Sequence, residues 1–383
     1  MTLPKTNPET AIVMGAAGQD GFFLTERLLQ DGWLVHATGR RPSIPDFDYL
    51  PDEIKARLQV HQVDLLRPQS VFDLIKTVQP DEFYNLAGQS SVSKSFSDPL
   101  DTWRTNAESV VHLLECIRKH SSETRFYQAS STDMFGMPAT DASVFNEGSA
   151  LNPQSPYASA KAAAHLLCHS YREVYGLRIA SGILSNHESH RRGGSFLSRK
   201  VVEHIRKLKD LSTAGVKDCP PLAVGNLKVQ RDWGFAPDYV DGMLKIIRQV
   251  QTRAAFMGDP IQEDEASKYR DYVLATGQTH AVWELIDCAF TIGGFDLDWD
   301  LEGDDPAMWR GYFRSTKTTA VAVRPELLRT AEPMMIRLDP GRAEAELGWA
   351  PQQGLEVFLI DMFANPPRRE VIEDAAKARP KWD

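Results

Sequence analysis

Tyr157 and Lys161 stand four residues apart in "SPYASAK", a spacing that sets both side chains on one face of a helix. A phenol with a reference pKa of about 10 is a poor base at neutral pH. A lysine ammonium beside it and a cationic nicotinamide above it favour the phenolate, which can then take a proton from an alcohol as hydride leaves. Tyr-x-x-x-Lys alone is a weak signal, because so short a motif recurs by chance. Its position adds weight. It follows "RFYQASSTD", an apolar run ending in Ser131, Thr132 and Asp133, and the carboxyl ends of such strands are where parallel sheets bind ligands.

A nicotinamide needs a dinucleotide site, and "GAAGQDG" offers one. Gly15, Gly18 and Gly21, with Gln19 and Asp20 among them, lie between a short apolar run and an amphipathic stretch. Glycines there permit a tight turn and let backbone N–H groups at a helix N-terminus approach a pyrophosphate. At the end of the second strand-like run, an acid would bind the ribose 2′-hydroxyl of NAD. The chain instead reads Gly39-Arg40-Arg41-Pro42-Ser43, two guanidinium groups and a hydroxyl that favour a 2′-phosphate and so NADP. Asp64 and Leu65 are placed to flank the adenine, and Leu86, Ala87, Gln89 and Ser90 to run along the pyrophosphate.

A third cluster is basic. "GILSNHESHRRGGSFLSRK" passes from an apolar run into Asn186, His187, Arg191, Arg192, Arg199 and Lys200. The whole chain of 383 residues carries a formal charge of −9, which argues against a nucleic-acid partner and makes this block a local anion pocket.

These groups must be held by an ordered frame. With 42% hydrophobic and 25% charged residues, the composition is globular and ample for a large core. Strand-like runs at 11–14, 33–39, 58–65, 82–87, 125–130 and 178–184 alternate with helical ones. Val71, Leu74, Ile75 and Val78, and later Val110, Leu113, Leu114 and Ile117, keep one-sided helical spacing. Alternation of this kind predicts a Rossmann-type, doubly wound parallel sheet over 1–185, rejoined by segments near 225–250 and 271–295. A smaller, interleaved α/β substrate-binding lobe is expected from 186–224 and 296–365, with surface excursions at 206–221 and 251–270 and a charged tail at 366–383. Cys116, Cys168, Cys219 and Cys288 lack the close pairing of a zinc site, so they read as reduced thiols and no metal is expected. No run is apolar enough for a membrane span, and "MTLPKTNPET" is polar, so the reading is a cytoplasmic protein.

The order of these motifs resembles the extended short-chain dehydrogenases/reductases, and within them the GDP-mannose 4,6-dehydratase family. The resemblance is carried by "GAAGQDG", "GRRPS", "YNLAGQSSVSKSF", "FYQASSTDMFG", "SPYASAK", "GILSNHESHRRGGSFLSRK", "GNLKVQRDWGFAPDYV" and "ELGWAP". It implies that His187 and Arg192 contact NADP, as do Tyr157 and Lys161. It implies that Ser91, Asn186, Arg199, Lys200, Asn226, Arg231, Arg329 and Glu332 hold a GDP-sugar, and that the protein is a homodimer or homotetramer.

The chemistry the resemblance implies is an internal redox cycle ending in a 4-keto-6-deoxy sugar, with Ser131, Asp133, Tyr157 and Lys161 as its catalytic residues. One departure bears on it. The family's Thr-Ser-Glu triplet stands here as Ser131-Thr132-Asp133. Serine keeps the hydroxyl, whereas aspartate withdraws the acid by one methylene, and a misplacement of about 1 Å can cost about a hundredfold in rate. Either the sugar sits differently, or the enzyme is a GDP-sugar 4-epimerase, 4-dehydrogenase or 4-ketoreductase without elimination. A dinucleotide-sensing binding protein is disfavoured by the presence of both Tyr157 and Lys161.

Overall fold

The computed structural model describes residues 8–40, 47–138, 140, 143–213, 219–257, 268–329 and 332–366. The chain divides into two compact units. Unit 1 comprises Met1–Ser185, Ala236–Gly277 and Leu338–Pro351; unit 2 comprises Asn186–Phe235, Gln278–Arg337 and Gln352–Asp383.

Unit 1 is built on seven parallel strands: β1 (Thr10–Met14), β2 (Leu34–Gly39), β3 (Leu58–Gln62), β4 (Glu82–Asn85), β5 (Arg125–Ser131), β6 (Ile179–Leu184) and β7 (Tyr272–Leu274). Their spatial order is β7-β6-β5-β4-β1-β2-β3, the doubly wound arrangement. Helices α1 (Gln19–Gln30), α2 (Pro68–Val78), α3 (Ser109–His120), α4 (Pro156–Tyr175) and α5 (Ala236–Ile247) accompany it. Successive residues of a strand serve opposite faces. Val13, Tyr84, Tyr127 and Ala180 join the core with Leu24, Leu28 and Met243, whereas Ile12, Phe83, Phe126 and Ile179 join the one with Ile75, Leu113 and Cys168.

Polar groups fasten this sheet where the apolar layers end. Glu82 is fully buried, accepting two hydrogen bonds from Arg248 at 2.8 and 2.9 Å, one from Arg125 at 3.1 Å and one from the Tyr84 hydroxyl at 2.7 Å. Burial, with the adjacent Glu82 charge, pushes the Tyr84 phenol well above its ordinary pKa. At the outer strand β7, the Glu147 carboxylate accepts from Val273 N at 2.8 Å, occupying a donor that a bare sheet edge would expose.

Unit 2 contains a four-stranded sheet in the order Leu297–Asp300, Arg310–Phe313, Thr319–Val323 and Leu222–Val224. The first three strands form an antiparallel meander, and the last is parallel to its neighbour. The helices Leu197–Thr213, Val282–Ile292 and Leu355–Ala364 bring Val201, Ile205, Leu285, Phe290, Phe358 and Met362 into one core with Val321 and Val323.

The partition differs from the sequence expectation in three places. Residues 225–235 and 278–295 lie in unit 2, because the Val282–Ile292 helix buries Leu285, Ile286, Ala289 and Phe290 there and Val282 N donates to Val229 O. Residues 338–351 return to unit 1, where buried Trp349 meets Tyr239 edge-on and donates from its indole to Asp238 O at 2.9 Å. The expected excursions are partly helical, over Leu197–Thr213 and Gln249–Met257; of the expected tail at 366–383, all but its first residue lies outside the described residues. Among the described residues, no helix is long and apolar enough to cross a membrane.

Strands β2 and β3 carry a pH-sensitive contact. His36 Nδ1 lies 2.8 Å from His61 Nε2, with the rings nearly parallel. Burial, reinforced by His61, lowers the His36 pKa from 6.5 to about 4, and burial lowers that of His61 as well. The unfolded chain therefore binds more protons than the folded one between about pH 6.5 and 4, and stability falls as pH drops through that window. Urea midpoints measured at pH 7 and pH 5 should differ less in His36→Val than in the native protein. Parallel pH slopes in the two proteins would contradict this assignment.

Candidate active site

The glycine loop is a point of close backbone approach. Gly15 has φ +85°, and a Cβ added to it would lie 2.9 Å from Ala87 N. One added to Gly21 would be driven into Gly15 O and within 2.7 Å of Ala16 Cα. Gly18 is the N-cap of α1 and no side chain caps this terminus, which leaves the helix start suited to a phosphate. The loop after β4 lies alongside, with Leu86 N donating to Met14 O at 3.1 Å. The cradle that a Cβ would fill and the helix start without a side-chain cap fit a dinucleotide.

Among the described residues, the predicted cofactor residues of unit 1 differ in exposure and partners. Leu65 is buried in the core, while half-buried Asp64 accepts from Leu66 N at 3.0 Å. Arg40 is exposed and its carbonyl accepts from Gln62; Arg41, with Pro42 and Ser43, lies outside the described residues. Ser90 is exposed. Gln89 is turned to shaping its own loop, donating to Ser91 O at 2.9 Å and Thr102 Oγ1 at 3.1 Å. Ser91 Oγ caps the following short helix through Lys94 N at 3.2 Å. Asn106 escaped the sequence reading. It sits in a π-helical turn, Arg104–Glu108, and its side chain both accepts from Gln89 N and donates to Gln89 O at 2.8 Å. Its neighbours Arg104, Thr105, Glu108 and Ser109 are polar as well, so nothing in the sequence set it apart.

The catalytic candidates lie at the carboxyl end of β5 and at the start of α4. Strand β5 ends at Ser131, whose Oγ accepts from Asp133 N at 3.3 Å. The turn closes at Gly136, with φ +66° and no room for a Cβ against Asn152 O, and Asn152 N donates to Met134 O at 2.9 Å. Ser155 then caps α4 through Ala158 N at 3.1 Å, with Pro156 in the first turn. Tyr157 and Lys161 are both buried on this helix, and Lys161 Nζ donates to Ala129 O at 2.9 Å. A Cβ on Gly88 would lie 3.9 Å from that ammonium, so the lysine adjoins the loop that adjoins the glycine turn. Burial lowers Lys161 to about 8, with the Asp20 charge and then Cys168 opposing the shift.

Unit 2 gathers the basic residues in two groups. The strand Asn186–Glu188 pairs in parallel with Trp233–Phe235, so half-buried Asn186 and buried His187 lie opposite Trp233 and Gly234. Exposed Lys200 extends from the next helix. Arg199 departs from expectation: it is only 2% exposed, its Nε donates to Arg192 O at 3.3 Å, its Nη2 to His190 O, and its Nη1 pairs with Glu203. Burial lowers its pKa. Its guanidinium organises the 190–192 loop from within. In the second group, Asn226 donates to Met334 Sδ, Arg231 donates to Pro333 O at 2.8 Å, and Glu332 lies 3.5 Å from Arg231 and 3.4 Å from Arg329. Asp361 was also missed; it accepts from His190 N at 2.7 Å, across a sequence distance with no local signature. Among the described residues, no group of three or more His, Cys, Asp or Glu side chains is placed to hold a metal ion.

A family model described as GDP-mannose 4,6 dehydratase matches residues 12–362. The GDP-mannose 4,6-dehydratase of Yersinia enterocolitica is 34% identical over 92% of both chains. The GDP-mannose 4,6 dehydratase 2 of Arabidopsis thaliana is 35% identical over 95% of this chain and 90% of that one. Among solved structures, RMD from Pseudomonas aeruginosa complexed with NADPH superposes with a TM-score of 0.68 at 23% identity, covering 94% of this chain and 98% of that one. The UDP-glucose 4-epimerase of Thermotoga maritima gives 0.71 at 18%, covering 93% and 98%. These likenesses show the fold.

The backbone contacts around the glycine loop rank two substitutions. Gly21→Ala meets rigid backbone and should weaken dinucleotide binding by at least about tenfold. Gly18→Ala, whose Cβ would sit 3.2 Å from Gly15 O, should be milder. Fluorescence titration with NADPH reads both, and equal losses at the two positions would refute the ranking.

Proposed function

The chain belongs to the GDP-mannose 4,6-dehydratase family, and from that premise we propose a mechanism for its own residues: it converts GDP-mannose to the GDP-4-keto-6-deoxy sugar with NADP. The observation that carries this reading is Lys161, a buried ammonium held between the Ala129 carbonyl and the Gly88 turn, beside Tyr157 on α4. When bound, the nicotinamide supplies a hydride acceptor for carbon 4 and a hydride donor for carbon 6.

Tyr157 Oη takes the proton of the 4-hydroxyl, and the Lys161 ammonium favours the phenolate that makes this possible. The Ser131 hydroxyl orients the tyrosine. The ketone at carbon 4 acidifies the hydrogen on carbon 5, which the Asp133 carboxylate removes as hydroxide leaves carbon 6; a proton is later returned to carbon 5. The proton gained from the 4-hydroxyl and the hydroxide lost from carbon 6 together make the released water, so the enzyme ends each cycle in its starting protonation state. Gly15, Gly18 and Gly21 admit the pyrophosphate, Arg40 and Arg41 the 2′-phosphate, and His187 and Arg192 further bind the cofactor. Asn186, Lys200, Asn226, Arg231, Arg329 and Glu332 hold the GDP-sugar, with arginine suited to the diphosphate.

We further propose that two copies of the chain associate through the short helices Val92–Ser97 and Pro99–Trp103 and the adjoining face of α4. Phe96 (62%), Leu100 (70%), Trp103 (48%) and Leu166 (54%) are exposed on elements that pack together, and grouped exposed apolar side chains mark association surfaces. Light scattering should give a multiple of 42.9 kDa, and Leu100→Glu with Trp103→Glu should release the monomer. A native protein that scatters as a monomer overturns this.

Incubation with GDP-mannose should yield a product lighter by one water. In Asp133→Asn, absorbance should still report NADPH forming while no dehydrated sugar appears. Tyr157→Phe should lose about 10² to 10⁴-fold in rate and retain nucleotide binding. If the native enzyme forms NADPH, exchanges no solvent deuterium at carbon 5 and releases no dehydrated sugar, Asp133 marks a 4-dehydrogenase, 4-epimerase or 4-ketoreductase and the dehydratase reading fails.

A further inference from the structure

Arg192 is held on two sides. Its guanidinium carbon lies 3.7 Å from the centroid of the Phe196 ring, so one flat face is covered. Its Nε lies 3.1 Å from Glu188 Oε2, in an ion pair whose carboxylate is buried and also accepts from Ser198 Oγ. The loop that carries it is fixed as well, with Arg192 N donating to Ser189 O at 3.0 Å and Arg192 O accepting from Arg199 Nε. The side chain is 17% exposed, and among the described residues no acceptor takes a hydrogen bond from its Nη1 or Nη2.

A guanidinium is a planar fork, and each of its edges can serve a separate partner. Here the Glu188 ion pair lies on the Nε side, without a hydrogen bond from Nε itself, and Phe196 covers one face, while the terminal nitrogens keep their donors for an anion. We infer that Phe196 is a positioning residue for cofactor binding: it holds the Arg192 plane ready for a phosphate oxygen of NADP. The inference rests on the reading of Arg192 as a cofactor contact. Immobilising a long, rotamer-rich side chain at the moment of binding weakens affinity, and a stack that immobilises it beforehand removes that cost. The Glu188 ion pair alone leaves the guanidinium free to swing about its Nε–Oε2 line; the ring stops that swing.

The test is a double-mutant cycle on the NADPH dissociation constant, read by fluorescence titration of the full-length protein. Phe196→Leu should weaken NADPH binding by about tenfold, and Phe196→Tyr should restore it. Once Arg192→Ala is in place, adding Phe196→Leu should cost nothing further. A purely structural phenylalanine would instead cost the same in both backgrounds, and that result overturns the inference. So does native affinity in Phe196→Leu when Arg192→Ala binds weakly. If Arg192→Ala itself binds NADPH as tightly as the native protein, the cofactor role of Arg192 fails and the inference falls with it.

Discussion

Arg172 and Asp271 face each other in the interior of unit 1, a guanidinium and a carboxylate joined through both oxygens at 3.0 and 3.1 Å. The same guanidinium donates to Ile179 O, and the same carboxylate accepts from Ser181 N at 2.7 Å. Burial works to raise the Asp271 pKa, and the Arg172 bonds outweigh it, holding the acid below its ordinary value. One end of α4 is thereby fixed to the start of β6 and the residue before β7. Eleven residues back, about 16 Å along the helix axis, Lys161 is fixed to β5 through the Ala129 carbonyl. With both ends fastened, Tyr157 has little freedom to drift from the glycine loop. Removing one partner of such a buried pair leaves an uncompensated charge, at a cost of about 3–5 kcal/mol.

The basic residues follow a related logic on the other unit. In a chain of net charge −9, bare arginines packed side by side would repel one another. Each is instead given a local acid: Glu188 for Arg192, Glu203 for Arg199, and Glu332 for Arg231 and Arg329. The acids fix where the guanidinium groups stand.

Legibility in the sequence followed the range of the interactions. The glycine loop, the helices with one-sided apolar spacing and the Tyr157–Lys161 pair are local patterns, and the structure brings the last into contact with the first by way of Gly88. The burial of Arg199 was not legible, because a basic block shows charge without showing burial; its guanidinium donates to the backbone of its own loop. Asp361 and Trp349 act on segments 171 and 111 residues away, so nothing in their neighbours announces the partner. The four-stranded sheet of unit 2 was hidden because its strands are three to five residues long, too short for alternation to stand out. Arg41 and all but the first residue of the expected tail lie outside the described residues.

The chain passes between its two units at 185/186, 235/236, 277/278, 337/338 and 351/352, and this has a bearing on its synthesis. When residue 185 leaves the ribosome, six strands of the main sheet exist, but β6 has no outer neighbour until β7 follows almost ninety residues later. During that interval β6 presents an open edge, rich in Ile, Ala and Leu, of the kind that recruits other chains. The Trp349 indole reaches the same unit later still. A nascent or truncated form ending anywhere before β7 is therefore an aggregation-prone species rather than a smaller working domain, and the enzyme can be cut into neither of its halves by a single cleavage.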